Sequence, residues 1–125
     1  MTRYSDIVQD HFRNPRHCGA MSDPDASVTV TNPVCGDMLS LYVRVRQGAV
    51  AEATFQAQGC PAALAAGSMT AVLLQGRPVS DLDSITREAV VEALGGLPRD
   101  KMHCSVLAEE AIAELKRFLL PEERT

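Results

Sequence analysis

The sequence predicts an α+β fold, a three-stranded antiparallel sheet with helices packed on one face, and three observations lead to it. Three successive segments, SVTVTN, LSLYVRVR and AVAEATFQAQ, alternate apolar and polar residues as half-buried strands do. After Cys60 the period changes, and PAALAAGSMTAVLLQG and HCSVLAEEAIAELKRFLL read as helices. Strands grouped first and helices afterwards form a layer of helices against a sheet rather than an alternating α/β array.

The elements follow in order. Residues 5–12 form a short leading helix, with Ser5 able to cap it, Ile7, Val8 and Phe12 at helical spacing, and Asn14-Pro15 ending it. Residues 15–26, rich in Pro, Gly, Asp and Ser, read as a flexible loop. In the second strand Leu39, Leu41, Val43 and Val45 share one face while Ser40, Arg44 and Arg46 share the other, so one side of the sheet is buried and the other wet. Gln47-Gly48 supplies a tight turn, and the three strands make an antiparallel meander. Pro61 opens the next helix at its first position and Gly76 stops it. Ser80 or Asp81 leads into DLDSI and Thr86 into REAVVEAL, with Gly95-Gly96 and Pro98 as terminators. The last helix begins near His103 or Cys104 and carries Val106, Leu107, Ile112, Leu115, Phe118 and Leu119, with Glu109, Glu110, Glu114, Lys116 and Arg117 mostly towards solvent.

A chain of 125 residues suits one domain, 1–125, and 46% hydrophobic with 22% charged residues is near the globular average. No apolar run approaches the roughly 18 residues a membrane span needs, and the first residues lack the zones of a signal peptide, so a cytoplasmic location is expected. Sixteen acidic against twelve basic residues, a net charge of −4, make nucleic acid an unexpected partner.

The chemistry lies in the cysteines. In a reducing compartment Cys18, Cys35, Cys60 and Cys104 are not expected to form disulfides. Cys60 falls at the start of the first long helix and Cys104 at or next to the start of the last, where unpaired N–H groups favour an anion, so both thiols are expected to ionise more readily than a free cysteine. Cys35 lies in NPVCGDM, where Pro33 and Gly36 make a sharp turn, and residues two apart can share a face, which lets Cys35 and Asp37 point into one pocket. His103 adjoins Cys104. Together Cys35, Asp37, Cys60, His103 and Cys104 supply enough sulfur, oxygen and nitrogen donors for a tetrahedral metal or a small cluster. Taken singly, each has a plainer reading: a cysteine as a small core residue, Asp37 as an Asx turn, His103 as a cap. Cys18 reads as incidental. The three other cysteines stand 25 and 44 positions apart (35 to 60, 60 to 104), not at zinc-finger spacing, so the fold must assemble any joint site.

Four stretches in order, YSDIVQDHFRNPRHCG, NPVCGD, GCPAALAAGS and HCSVLAEEAI, resemble the IscU/NifU-type iron–sulfur cluster assembly scaffolds nearly end to end. The resemblance implies the SufE/IscU/NifU-like fold and a scaffold rather than a turnover enzyme. Such a protein builds a labile 2Fe-2S cluster from iron and persulfide sulfur and hands it to acceptor proteins. It implies Cys35, Cys60 and Cys104 as cluster ligands, Asp37 or His103 completing the set, Asp37 also assisting iron entry and cluster release, and Cys104 as the primary persulfide acceptor. The implied partners are a cysteine desulfurase and iron–sulfur acceptor proteins, with a ferredoxin and a frataxin-like protein as further candidates. Zinc fits the same donors, so the purified protein can hold zinc in place of iron.

Two departures bear on this resemblance. The family's Leu-Pro-Pro-Val-Lys segment, bound by a DnaK-like chaperone, reads here Leu97-Pro98-Arg99-Asp100-Lys101, and the charged pair weighs against that chaperone. The additional domains of full NifU proteins and the insertion of the SufU branch are not seen in the sequence. Two other functions compete: a zinc-bound sulfur-transfer protein with Cys104 as persulfide carrier, and a hydrolase using zinc-activated water or a Cys–His pair. Against the hydrolase, no feature supplies an oxyanion hole, and neighbouring His103 and Cys104 are poorly placed for nucleophile and base.

Overall fold

A computed structural model describes residues 4–33 and 36–120. The elements are α1 (Asp6–Arg13), β1 (Ala26–Thr31), β2 (Met38–Arg46), β3 (Ala49–Gln58), α2 (Pro61–Leu74), a 3-10 segment (Val79–Ser84), α3 (Arg87–Ala93), a second 3-10 turn (Arg99–Lys101) and α4 (His103–Leu119). The strands form an antiparallel meander in the order β1-β2-β3, as the alternation predicts. Gln47 and Gly48 both take positive φ, 54° and 77°, the geometry of a two-residue hairpin turn whose twist matches the strands it joins.

Register places Val28 opposite Leu41 and Leu41 opposite Phe55, so one apolar row crosses the sheet. Leu41, Val43, Ala53 and Phe55 are fully buried. The other face is less wet than alternation alone suggests, because Thr29 Oγ1 and Ser40 Oγ share a 2.7 Å hydrogen bond that leaves Ser40 7% exposed. Helix α2 lies on β3 and β2, and α4 beside it on β1 and β2; α1 packs on α2, and α3 on α4. Covered by neighbours around most of its circumference, α2 has no polar stripe.

Two contacts set how these layers sit. Gly67 in α2 meets Phe55 so closely that a Cβ there would stand 2.6 Å from the ring. Ser68 then ties α1 to α2: its hydroxyl oxygen accepts from the Arg16 N–H at 2.8 Å and lies 2.7 Å from His11 Nδ1. The leading helix therefore differs from the expected face. It buries Val8 and His11, while Ile7 and Phe12 are 40% and 42% exposed, because a histidine with a buried hydroxyl partner takes the inner position.

The segment after α1 is also more ordered than its composition suggests. Phe55 N–H donates to the His17 carbonyl at 2.9 Å and Gly19 N–H to the Phe55 carbonyl at 2.8 Å, so a short bridge at Cys18 pairs with the outer edge of β3. Helix α2 ends at Leu74, two residues before the predicted Gly76 stop, and the DLDSI segment is a 3-10 element. Thr86 caps α3 as expected, its hydroxyl accepting from Ala89 N–H at 3.1 Å. Phe118, counted among the apolar residues of the last helix, is 64% exposed.

Gly67→Ala should destabilise the fold by about 1–2 kcal/mol in urea unfolding, because overpacking against the buried Phe55 ring outweighs the roughly 1 kcal/mol that alanine gains in a helix. Burial first, then the Arg16 guanidinium, hold the His11 imidazole below its ordinary pKa, with Asp10 pulling weakly the other way. The unfolded chain therefore takes up that proton first, and stability falls as pH drops below about 6.5 towards the lower folded value. His11→Asn should make the loss of melting temperature between about pH 7 and 5 shallower.

Candidate metal centre

Three separate stretches of chain meet at one end of the sheet. The first is the β1–β2 turn, where Asn32 N–H donates to the Asp37 carbonyl at 2.8 Å and Gly36 N–H to the Asn32 carbonyl at 2.7 Å. Gly36 takes φ +79°, which a side chain would strain. The Asp37 residue that follows is 7% exposed.

The second is the junction of β3 with α2. Cys60 is the N-cap, extended in backbone, with Pro61 in the first helical position and no hydrogen bond from its thiol to the helix amides. Its sulfur therefore reaches sideways, to 3.9 Å from Cys104 Sγ. Gly59, just before it, has φ +150°, and a Cβ there would lie 2.6 Å from Asp37 Oδ1. The missing side chain makes the space that the carboxylate occupies.

The third is the start of α4. The 3-10 turn Arg99–Lys101 runs directly through Met102 into the helix, which places His103 and Cys104 in its first turn. His103 Nε2 lies 3.4 Å from Asp37 Oδ2 and 3.7 Å from Cys104 Sγ, and Cys104 Sγ lies 4.0 Å from Asp37 Oδ2. One donor atom from each of Asp37, His103 and Cys104 lies within 4.8 Å of the others. Cys60 adjoins this set through Cys104. The predicted donors Asp37, Cys60, His103 and Cys104 are thus brought together, whereas Cys35 lies outside the described residues. Cys18 is exposed.

These spacings suit a tetrahedral cation. With metal–sulfur bonds of about 2.3 Å and metal–nitrogen or metal–oxygen bonds of about 2.1 Å, two sulfurs stand about 3.8 Å apart and a nitrogen–oxygen pair about 3.4 Å. The observed 3.9 Å between sulfurs and 3.4 Å between His103 and Asp37 match pair by pair, but among the described residues only Asp37, His103 and Cys104 have donor atoms all within 4.8 Å of one another, so closing four donors on one cation draws the Cys60 sulfur inward. The carboxylate adds a hard donor to soft ones, which favours exchange over permanent sequestration.

The electrostatics overturn one expectation. Cys104 stands at a helix start, yet its thiol is pushed well up rather than down: burial dominates, followed by the neighbouring Cys60 and then the Asp37 charge, with Lys101 pulling weakly the other way. A partial charge at a helix end cannot offset the loss of water and the Cys60 and Asp37 neighbours. His103 and Cys104 are closer than sequence adjacency suggests, Nε2 to Sγ 3.7 Å, and because burial keeps the thiol neutral any attack from this sulfur must follow loss of its proton to a neighbour. Cys104 is 1% exposed, so the site meets solvent through Cys60 and through His103, whose side chain is 34% exposed.

Sequence reasoning passed over Gly59 and Lys101. The Gly-Cys pair before Pro61 was the visible signal for Gly59, since a glycine closing a strand often marks a close approach. Lys101 had no signal until the 3-10 turn brought it beside the helix start.

Comparison with known proteins finds similarity along most of the chain. Residues 3–118 match the family model described as NifU-like N terminal domain. The chain is 49% identical over 109 residues to the iron-sulfur cluster assembly scaffold protein IscU 1 of Archaeoglobus fulgidus, covering 87% of this chain and 71% of that protein. It is 40% identical over 113 residues to the IscU scaffold of Azotobacter vinelandii, covering 87% and 88%. In fold it is similar to a crystal structure of the N-terminal part of a NifU-like protein from Brucella abortus, with TM-score 0.73 over 97% of this chain and 95% of that one at 19% identity.

Gly59→Ala should push Asp37 out of its position and weaken binding of cobalt(II), followed by its thiolate absorption, by about tenfold or more. Unchanged affinity with an intact fold would mean that Asp37 is not part of the donor set.

Proposed function

The chain belongs to the NifU-like N-terminal domain family, and from that premise we propose that it is a scaffold on which an iron–sulfur cluster is assembled and from which it is transferred. The single observation that carries this reading is the convergence of Cys60, Cys104, Asp37 and His103, whose sulfurs lie 3.9 Å apart with the carboxylate and imidazole alongside. Cys35, two residues before Asp37 in the sequence, is proposed as the third sulfur ligand. The cargo is a 2Fe-2S cluster made from iron and persulfide sulfur supplied by a cysteine desulfurase. The whole chain acts as one carrier domain, without turnover chemistry of its own, in the cytoplasm. Among the described residues no helix is long and apolar enough to cross a membrane.

Each residue has a role that its position supports. Cys104 accepts sulfur: its thiolate attacks the outer sulfur of the donor's persulfide, a new S–S bond forms, the donor's S–S bond breaks, and the donor leaves as a thiolate. The proton that Cys104 gives up has a carboxylate 4.0 Å away at Asp37 and an imidazole 3.7 Å away at His103. Cys60, less buried than Cys104, holds the outer side of the cargo. Asp37 and His103 complete the iron coordination, and the carboxylate's weaker hold on iron leaves the cluster exchangeable. Acceptor proteins receive the product, and a ferredoxin and a frataxin-like protein are proposed as auxiliary partners.

A second reading rests on the three mutually close donors: one zinc ion held by Asp37, His103 and Cys104 with the Cys60 sulfur drawn in, and the protein passing sulfur from the desulfurase onward through Cys104. Anaerobic incubation with ferrous iron, cysteine and a cysteine desulfurase separates the two. The scaffold should gain visible absorption with matching iron and acid-labile sulfide, Cys104→Ala should lose most of it, and Asp37→Cys, which puts a soft donor where the hard one stands, should release its cluster on the order of tenfold more slowly. Retained zinc with sulfur transfer and no cluster would establish the second reading.

A further inference from the structure

The two edges of the sheet are treated differently. The outer edge of β3 is covered at two places by the protein's own chain: residues 17–19 pair with Phe55, while Val50 N–H donates to the Arg77 carbonyl at 2.9 Å and Gly76 N–H to the Val50 carbonyl at 2.7 Å. The outer edge of β1 has no such cover among the described residues. The Asn32–Asp37 bond sets the alternation of the β1–β2 ladder, so Val28 and Val30 bond inward to β2, and Ser27, Thr29 and Thr31 turn their backbone N–H and C=O groups outward. All three residues are exposed.

Nothing in β1 guards that edge. Ala26–Thr31 contains no charge, no proline and no bulge, the devices that usually keep an open strand from pairing with another chain. Beside it runs a groove of about 330 Å³ between the strand and α4, floored by Val30 and Ala113 and rimmed by Glu110, Glu114 and Arg117. Arg117 is already paired with Glu114 at 3.1 Å, while Glu110 is exposed and has no hydrogen-bond or ion-pair partner among the described residues. The groove is therefore net acidic.

We infer that the free edge of β1 and the acidic groove beneath α4 form a docking site for an extended, lysine- or arginine-bearing segment of a partner protein, which adds to the sheet as a fourth strand. Backbone pairing comes from Ser27, Thr29 and Thr31, and side chains alternate along the added strand. Those on the helix side extend the row of Val28 and Val30, so a long basic side chain lays its aliphatic stem over Val30 and Ala113 and brings its charge to Glu110 and Glu114. A second copy of this chain fits less well, because edge-to-edge pairing would bring two acidic rims together in molecules that each carry a net charge of −4. The site is separate from the cysteines and does not depend on what they bind.

The test uses the whole chain, labelled with nitrogen-15, and a synthetic capped heptapeptide of alternating threonine and lysine. The expected result is binding that weakens with added salt, with shifts and new hydrogen-exchange protection at the Ser27, Thr29 and Thr31 amides. Thr29→Pro removes an outward N–H without touching the ladder to β2 and should weaken binding about tenfold; Thr31→Pro does the same without disturbing the Thr29–Ser40 hydrogen bond. Glu110→Lys, on an exposed helix position, should weaken it up to about fivefold. A peptide with glutamate in place of lysine that binds equally well, shifts confined to other surfaces, no binding at millimolar peptide, or protection of the same amides through a concentration-dependent dimer without peptide would each overturn the proposal.

Discussion

Helix α2 lies closest to the sheet where it carries no side chain, at Gly67, and there the buried Phe55 ring fills the space against it. The rest of the site inherits its position from that contact. Only Gly59 and Cys60 separate the end of β3 from the start of α2, so once the helix is seated on the strand the Cys60 sulfur has little freedom left. Helix α4 packs beside α2 and over β1, which carries its first turn to the same end of the sheet and sets Cys104 against Cys60. The β1–β2 turn closes at Asn32 and Asp37 and delivers the carboxylate from below. Close-packed layers do not slide by fractions of an ångström without cost, so ligands from three stretches of chain can be held at coordination distances by contacts remote from them.

Much of this was legible in the sequence because it depends on local rules. Alternation fixed the strands to within a residue, the Gln47-Gly48 pair located the hairpin, and Pro61 and Thr86 marked helix starts that the structure keeps. The site was legible as a set of residue types at the ends of elements, although their separations of 25 and 44 positions could not say that they meet. What local rules missed depends on tertiary neighbours. His11 looked polar and Phe12 apolar, yet the inner position goes to His11 because Ser68 of another helix supplies a partner. The segment around Cys18 looked like loose loop because nothing in its composition reveals that a strand edge lies within hydrogen-bond reach. The acidity of Cys104 was misjudged for the same reason: a helix start is visible in sequence, but Cys60, Asp37 and the loss of water around the sulfur are not.

That reversal bears on how the site behaves as a carrier. With no cation bound, the thiol of Cys104 keeps its proton, because a sulfur anion beside Cys60 and Asp37 and away from water is costly. Lys101 is too weak a counterweight to change this, and the imidazole of His103 is partly exposed to solvent. On the proposed ligand set, a multivalent cation would relieve the same repulsion more completely than a proton does, since it would satisfy the sulfur, the carboxylate and the imidazole together. The empty and loaded forms are thus separated by an exchange of protons for metal, and the balance of that exchange is set by burial at Cys104 on one side and the hard, weakly held oxygen of Asp37 on the other. On the proposed reading this is the property a scaffold requires. A pocket of thiolates alone would hold its cargo too firmly to give it up, whereas one whose deepest thiol resists ionisation and whose fourth donor is oxygen holds the cluster only while no better ligand set is offered.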